Sequence, residues 1–200
     1  MLKIDNLENS YFKDIDTYNN CKFIDIEFKN YYNSVDFNNC YFEKIDFSNL
    51  NIEGYVFYNC YFKDCDFSNT TLSDSGFNKT EFEQTKFIGF YISESSLKEV
   101  KFTSSPMSYF NISDSKLEKV EFNYCNLSDS SFINLKLKNI LFNECKLIKS
   151  NIQNTKLKDI DFSTCNIDEI KVNFEDLKGI KINQIQALSI IRSLGIDVIN

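Results

Sequence analysis

Large apolar residues recur at every fifth position along most of this chain. Counting from Phe37, the series runs Phe42, Phe47, Ile52, Phe57, Phe62, Phe67 and Leu72, then continues unbroken through Phe102, Phe122 and Phe142 to Leu177 and Ile182. With 42% of residues hydrophobic, thirty consecutive matches exclude chance. Neither the 3.6-residue period of an amphipathic helix nor the alternation of a half-buried strand generates a period of five. The residue two places before each centre is mostly small or β-branched, as in Cys40, Ile45, Cys60, Thr70, Ser75 and Thr80. One large and one small inward residue, with three outward polar ones, turn the chain by about a quarter turn per unit. Four units then close a coil of about 20 residues, and successive coils pair like neighbouring strands ~4.8 Å apart. The pattern predicts an all-β solenoid whose core is a column of stacked centres, with the turns built into the repeat.

The register is irregular before Phe37. Phe12 to Tyr18 spans six residues, and Phe28 to Tyr32 spans four. The expected organisation is an irregular N-terminal part over 1–36, a regular repeat over 37–182 and a distinct C-terminal segment over 183–200. That last segment predicts a short α-helix with Asn183 as its N-cap, Gly195 at its C-cap, and Ile185, Leu188, Ile191 and Leu194 in one stripe. Ile196 to Ile199 could add a last strand. A solenoid exposes an apolar edge at each end. The segment therefore reads either as a cap alone, or as a cap that packs against a second copy about a twofold axis, with Ile185, Leu188, Ile191, Leu194, Ile196 and Val198 at the contact.

Composition narrows the chemistry. The 200 residues include no histidine, one proline and five glycines. Without histidine the commonest general base and metal ligand are missing, and no phosphate loop or nucleophile–base pair is visible. Glu81 and Glu83 flank the inward Phe82 and both point to solvent, a poor setting for acid–base catalysis. All seven cysteines fall in the small inward slot, where a thiol behaves as a small hydrophobe. Cys60 and Cys65 lack further ligands at metal-binding spacing. We expect no enzyme activity, no cofactor and no metal. No run approaches the ~18 apolar residues of a membrane span, and no signal peptide follows Met1, which predicts a cytoplasmic protein with reduced thiols.

Twenty-nine acidic against 22 basic residues give a net charge of −7, with Arg192 the one arginine. This balance argues against direct nucleic-acid binding. The charges are also sorted by face when residues 20 apart are stacked. Glu53, Asp74, Glu94 and Asp114 share a face without lysine or arginine from Leu50 to Asn154, and Asp46 and Asp66 lie on the preceding one. These six are the candidate partner-binding carboxylates. The following face carries Lys116, Lys119, Lys136, Lys138, Lys156 and Lys158 against Glu118 and Asp159. Phe90 and Phe110 occupy the normally small slot in adjacent coils near Pro106, which predicts local repacking or a swelling of that face.

Units such as Cys40-Tyr41-Phe42-Glu43-Lys44 and Cys65-Asp66-Phe67-Ser68-Asn69 resemble the pentapeptide-repeat family. The resemblance implies a right-handed quadrilateral parallel β-helix. The C-terminal Leu177-Lys178-Gly179-Ile180-Lys181-Ile182, Gln186-Ala187 and Leu194-Gly195-Ile196 resemble the end of the Qnr-type quinolone-resistance proteins within that family. That implies a C-terminally joined homodimer that binds DNA gyrase and topoisomerase IV, as a DNA mimic, and protects them from fluoroquinolones. The sequence departs from Qnr in having Ile185 where a tyrosine is common, and no room between Phe37 and Ile182 for the two projecting loops of many members. An alternative expectation is a non-catalytic scaffold for another protein partner. Averaged over a rod of eight coils, ~38 Å long, the net charge amounts to one per ~5.5 Å, against one per ~1.7 Å of duplex DNA.

Overall fold

A computed structural model describes residues 7–12, 15–28, 34–193 and 195–199. The chain winds into a parallel β-solenoid of about eight coils, closed at its C-terminal end by one helix. Strands pair in parallel with the strand one coil away, and the register is 20 residues: Phe42 lies beside Phe62, Phe82 beside Phe102, and Ile92 beside Ile112. Near the start the step is shorter. Tyr18 pairs with Phe37 and Phe23 with Phe42, each 19 residues on. Tyr32, whose spacing signalled the missing residue, lies outside the described residues.

The period of five has a backbone cause. Two residues after most apolar centres the chain adopts φ near +50°, at Asn39, Lys44, Asn49, Asn59, Asp64 and onward to Asp159 and Glu169. This left-handed residue bends the chain at each corner, so four corners make a coil. Asn and Asp tolerate that conformation better than other non-glycine residues, and they fill 14 of the 26 non-glycine left-handed positions among the described residues. Frequent asparagine and aspartate thus stand in for the glycines that turns otherwise demand.

Inside, Phe23, Phe42, Phe62, Phe82, Phe102, Phe122 and Phe142 form one column. Neighbouring rings lie parallel with centroids 4.4 to 5.1 Å apart. Phe37, Phe57 and Phe77 form a second column that meets the first edge-on, as in the Phe57–Phe62 pair at 5.4 Å and 72°. Stacking within a column and T-shaped contacts between columns are the two favourable arrangements of an aromatic quadrupole. Small residues fill the corners and satisfy the backbone there: the Thr70 and Thr80 hydroxyls donate to the carbonyls of Phe47 and Phe57.

At Phe90 and Phe110, where local repacking or swelling was expected, both rings are taken into the core. Both rings are buried, nearly parallel and 5.8 Å apart, and the ladder beside them runs from Tyr91–Asn111 to Ser93–Ser113 without interruption. Their bulk is accommodated where the next column changes from Phe67 and Phe87 to Met107 and Leu127, which are adaptable or smaller.

Helix α1 (Gln184–Ser193) lies over the last coil. Asn183 Oδ1 accepts from the Gln186 amide at 3.0 Å, and Gln186 Oε1 accepts from the Asn183 amide at 2.8 Å, a reciprocal capping box. Gly195, at φ 77°, ends the helix, and the Ile196 amide donates back to the Ile191 carbonyl. That bond turns the tail away from the ladder, so Ile196 to Ile199 form no strand, contrary to the sequence expectation.

Candidate partner-binding surfaces

The outer surface follows from the corner geometry. Asp74, Glu94 and Asp114 are themselves left-handed corner residues, so they stack in one vertical row along an edge of the rod. All three are exposed and border a shallow groove floored by Gly76 and Ser96. The row continues as Asn134, whose amide donates to Asp114 Oδ1, and Asn154. Glu53 is on the sheet just before the corner, where Gly54 takes the left-handed position. The expected acidic face is therefore an acidic corner. From Thr71 to Ser131 the sheet beside it is neutral, showing Thr71, Ser73, Ser93, Asn111, Ser113 and Ser131 to solvent.

Asp46 and Asp66 are not brought to that corner. Each accepts a hydrogen bond at 2.8 Å from the amide two residues on, Ser48 and Ser68, closing an Asx turn. Asp66 also pairs with Lys86 at 3.2 Å. Partial burial works against its charged form, but the Ser68 and Lys86 bonds outweigh this and hold its carboxyl below the usual range. These two carboxylates are engaged within the rod.

The next sheet, between Ser95 and Lys178, is basic. Lys98, Lys116, Lys136, Lys138, Lys156, Lys158 and Lys178 are all exposed on it. Lys138 pairs with Glu118 at 2.8 Å, and at the adjoining corner Lys119 pairs with Glu99 at 3.0 Å. Each lysine holds its partner carboxyl below the usual range.

Six of the seven thiols are buried, and Cys21 is half-buried. All seven cysteines are free, and burial pushes Cys65 up to about 12. Among the described residues no group of three or more His, Cys, Asp or Glu side chains is placed to hold a metal ion. Glu83 accepts from the Tyr61 hydroxyl, and that bond together with burial raises the tyrosine.

Helix α1 presents two faces. Ile190 and Gln186 face the rod, and the Gln186 amide donates to the Phe162 and Cys165 carbonyls at 2.8 and 2.7 Å. Sequence reading singled out Gln186 without its role. The signal available was Asn183 three residues before it. Ile185, at 78% exposure, and Leu188 face outward beside Asp168, Glu169 and Arg192. Ile191 is half-buried, Ile196 and Val198 are exposed, and Leu194 lies outside the described residues. Among the described residues no helix is long and apolar enough to cross a membrane.

A trypsin-treated variant of QnrB1, a plasmid-mediated fluoroquinolone resistance protein, superposes with a TM-score of 0.52 over 92% of both chains at 17% identity. Full-length QnrB1 gives 0.34 at 16% identity over 90% of this chain and all of that one. HetL, a pentapeptide repeat protein involved in heterocyst differentiation regulation from the cyanobacterium Nostoc, gives 0.36 at 8% identity over 82% of this chain and 86% of its own. No curated protein sequence matches. The family model described as a pentapeptide repeat region matches residues 32–112, 55–130, 77–152 and 115–190. Together these matches span residues 32–190, and the chain belongs to the pentapeptide-repeat family.

Proposed function

We propose that this chain is a non-catalytic, cytoplasmic binding rod of the quinolone-resistance type, which engages DNA gyrase or topoisomerase IV and protects the enzyme from fluoroquinolones. The C-terminal element carries the reading. Gln186 locks helix α1 to the last coil, and the fixed helix leaves Ile185 and Leu188 uncovered beside Asp168, Glu169 and Arg192. A second copy about a twofold axis would cover the apolar residues. The likeness to QnrB1 supports the same reading. In this reading the enzyme-facing surface is the corner of Asp74, Glu94 and Asp114, where charge is locally concentrated in a way the average along the rod is not. The uninterrupted ladder from Val56 to Asn143, without a projecting loop, favours a second reading, a scaffold for a different protein.

Supercoiling by purified gyrase, inhibited by ciprofloxacin, tests the proposal over a concentration series of this protein. Rescue at micromolar protein supports topoisomerase protection. Inhibition without rescue means a gyrase binder that competes with DNA, and no effect on gyrase or topoisomerase IV leaves the scaffold reading. Asp74→Lys, Glu94→Lys and Asp114→Lys together should abolish rescue. If rescue persists, the corner is not the contact. Light scattering that finds a single 23.5 kDa chain at micromolar concentration would remove the dimer.

A further inference from the structure

The chain-wide charge argues against nucleic acid, but the sorting of that charge reverses the argument for one face. Between Ser95 and Lys178 the basic sheet carries seven lysines against Glu118, Glu175 and Asp176, a local charge of +4, so the rest of the chain carries −11. Lys116, Lys136 and Lys156 stand in one row, one coil apart, and Lys116 and Lys136 are direct ladder partners. Lys98, Lys138, Lys158 and Lys178 form a second row, two residues along, with Glu118 between Lys98 and Lys138. Of the seven, only Lys138 is within ion-pair distance of a carboxylate among the described residues. Like charges directly opposite on a sheet are destabilising, and folding alone gives no reason to stack three of them ~4.8 Å apart.

We infer that this lysine sheet binds the phosphate backbone of duplex DNA without reading its sequence. The array is flat, ~6.6 Å between rows and ~19 Å from Lys98 to Lys178. Duplex DNA presents regularly spaced phosphates over such a length, with a rise of ~3.4 Å per strand. Two other occupants fit less well. A single strand needs aromatic platforms for its bases, and an anionic membrane surface is gripped by inserted apolar side chains as well as lysines. The exposed apolar residues of this face, Val56 and Tyr58, lie at its opposite end, before the lysines begin. Lys116 lines the groove beside Asp74, Glu94 and Asp114, so the anionic corner and the cationic sheet adjoin on one rod.

The test is fluorescence anisotropy of a labelled 20-base-pair duplex of arbitrary sequence with the full chain, between 50 and 200 mM NaCl. About four phosphate contacts predict a log–log salt slope near −4 and roughly a 100-fold loss of affinity across that range. The triple variant Lys116→Glu, Lys136→Glu, Lys156→Glu should flatten the slope by about 3. Lys63→Glu, Lys86→Glu, Lys101→Glu changes net charge equally from other faces and should keep the slope. Circular dichroism establishes that both variants fold. Equal losses in the two triples, or no duplex binding at 50 mM salt, overturn the assignment. So does tighter binding of the single strand, or capture by phosphatidylserine vesicles without duplex binding.

Discussion

The two halves of the rod share one backbone but differ inside and out. Residues 1–100 carry 17 carboxylates against 9 lysines, and residues 101–200 carry 12 against 13 basic groups. The core changes over the same interval. Phe37, Phe47, Phe57, Phe67 and Phe77 give way to Leu117, Leu127, Leu137, Leu147 and Leu157 at equivalent centres. The ladder register stays at 20 residues across the change. Coil geometry is thus set by the spacing of centres and left-handed corners, while side-chain identity decides how the core packs and which charges the surface shows.

Truncation of a centre should separate the halves most strongly. Phe62 is stacked between Phe42 and Phe82 and meets Phe57 and Phe67 edge-on. Phe62→Ala should cost about 3–5 kcal/mol, with stacking adding to the cavity cost. Leu127→Ala, equally buried, should fall lower within about 2–5 kcal/mol. Urea denaturation compares them. An equal or larger loss at Leu127 would mean that the aromatic columns contribute volume only.

Gln186→Ala tests the C-terminal end. It leaves the Asn183 amide without its side-chain partner and uncouples the helix from the Phe162 and Cys165 carbonyls. The expected cost is about 1–3 kcal/mol, with faster hydrogen exchange confined to the last coils. Uniform acceleration along the rod would show that the helix stabilises the solenoid globally instead of capping one end.

Two glycines make a finer comparison within the first half. Gly89 is left-handed, and a Cβ there would sit 2.7 Å from Asn69 Oδ1. Gly89→Ala should cost at least about 1–2 kcal/mol. Gly76 has ordinary backbone, and its Cβ would meet only the Ser96 carbonyl at 3.7 Å. Gly76→Ala should stabilise by about 0.4–1 kcal/mol. Thermal unfolding of both variants would break the corner account if Gly89→Ala proved harmless.

The solenoid was legible in the sequence because one slot repeats thirty times, and a backbone constraint repeated that often leaves no ambiguity of period. The corner conformation was written less regularly, in the Asn and Asp that recur two residues after about half of the centres. Those residues also looked like surface charge. Hence Asp74 and Asp114 were read on a face when they form an edge, and Asp46 and Asp66 were grouped with them although Asx turns engage both. Aspartate at a bend serves conformation and charge at once, and spacing alone does not divide the two. The tail after Gly195 was misjudged because strand-like composition says nothing of the bond from Ile196 back to the helix.

The smallest effect concerns the ion pairs, and it sharpens the contrast between halves. Burial opposes the Asp66 charge, yet Ser68 and Lys86 together hold its carboxyl low, whereas Glu118 is held low chiefly by its bond to Lys138, with Lys98 and Lys119 adding to it. A depressed carboxyl contributes stability that is present above its unfolded pKa and lost as pH falls through its folded one, so both pairs weaken in acid. Lys138→Gln should bring Glu118 most of the way back to the ordinary carboxylate range, since Lys98 and Lys119 remain near it. Lys86→Gln should leave Asp66 partly depressed, because the Ser68 amide and hydroxyl still bond it. Carboxyl-carbon NMR titration of the two variants reads this directly. Full return of Asp66 would mean that the ion pair, and not the turn, sets its charge. Asp66 would then be free to serve a partner once Lys86 is displaced.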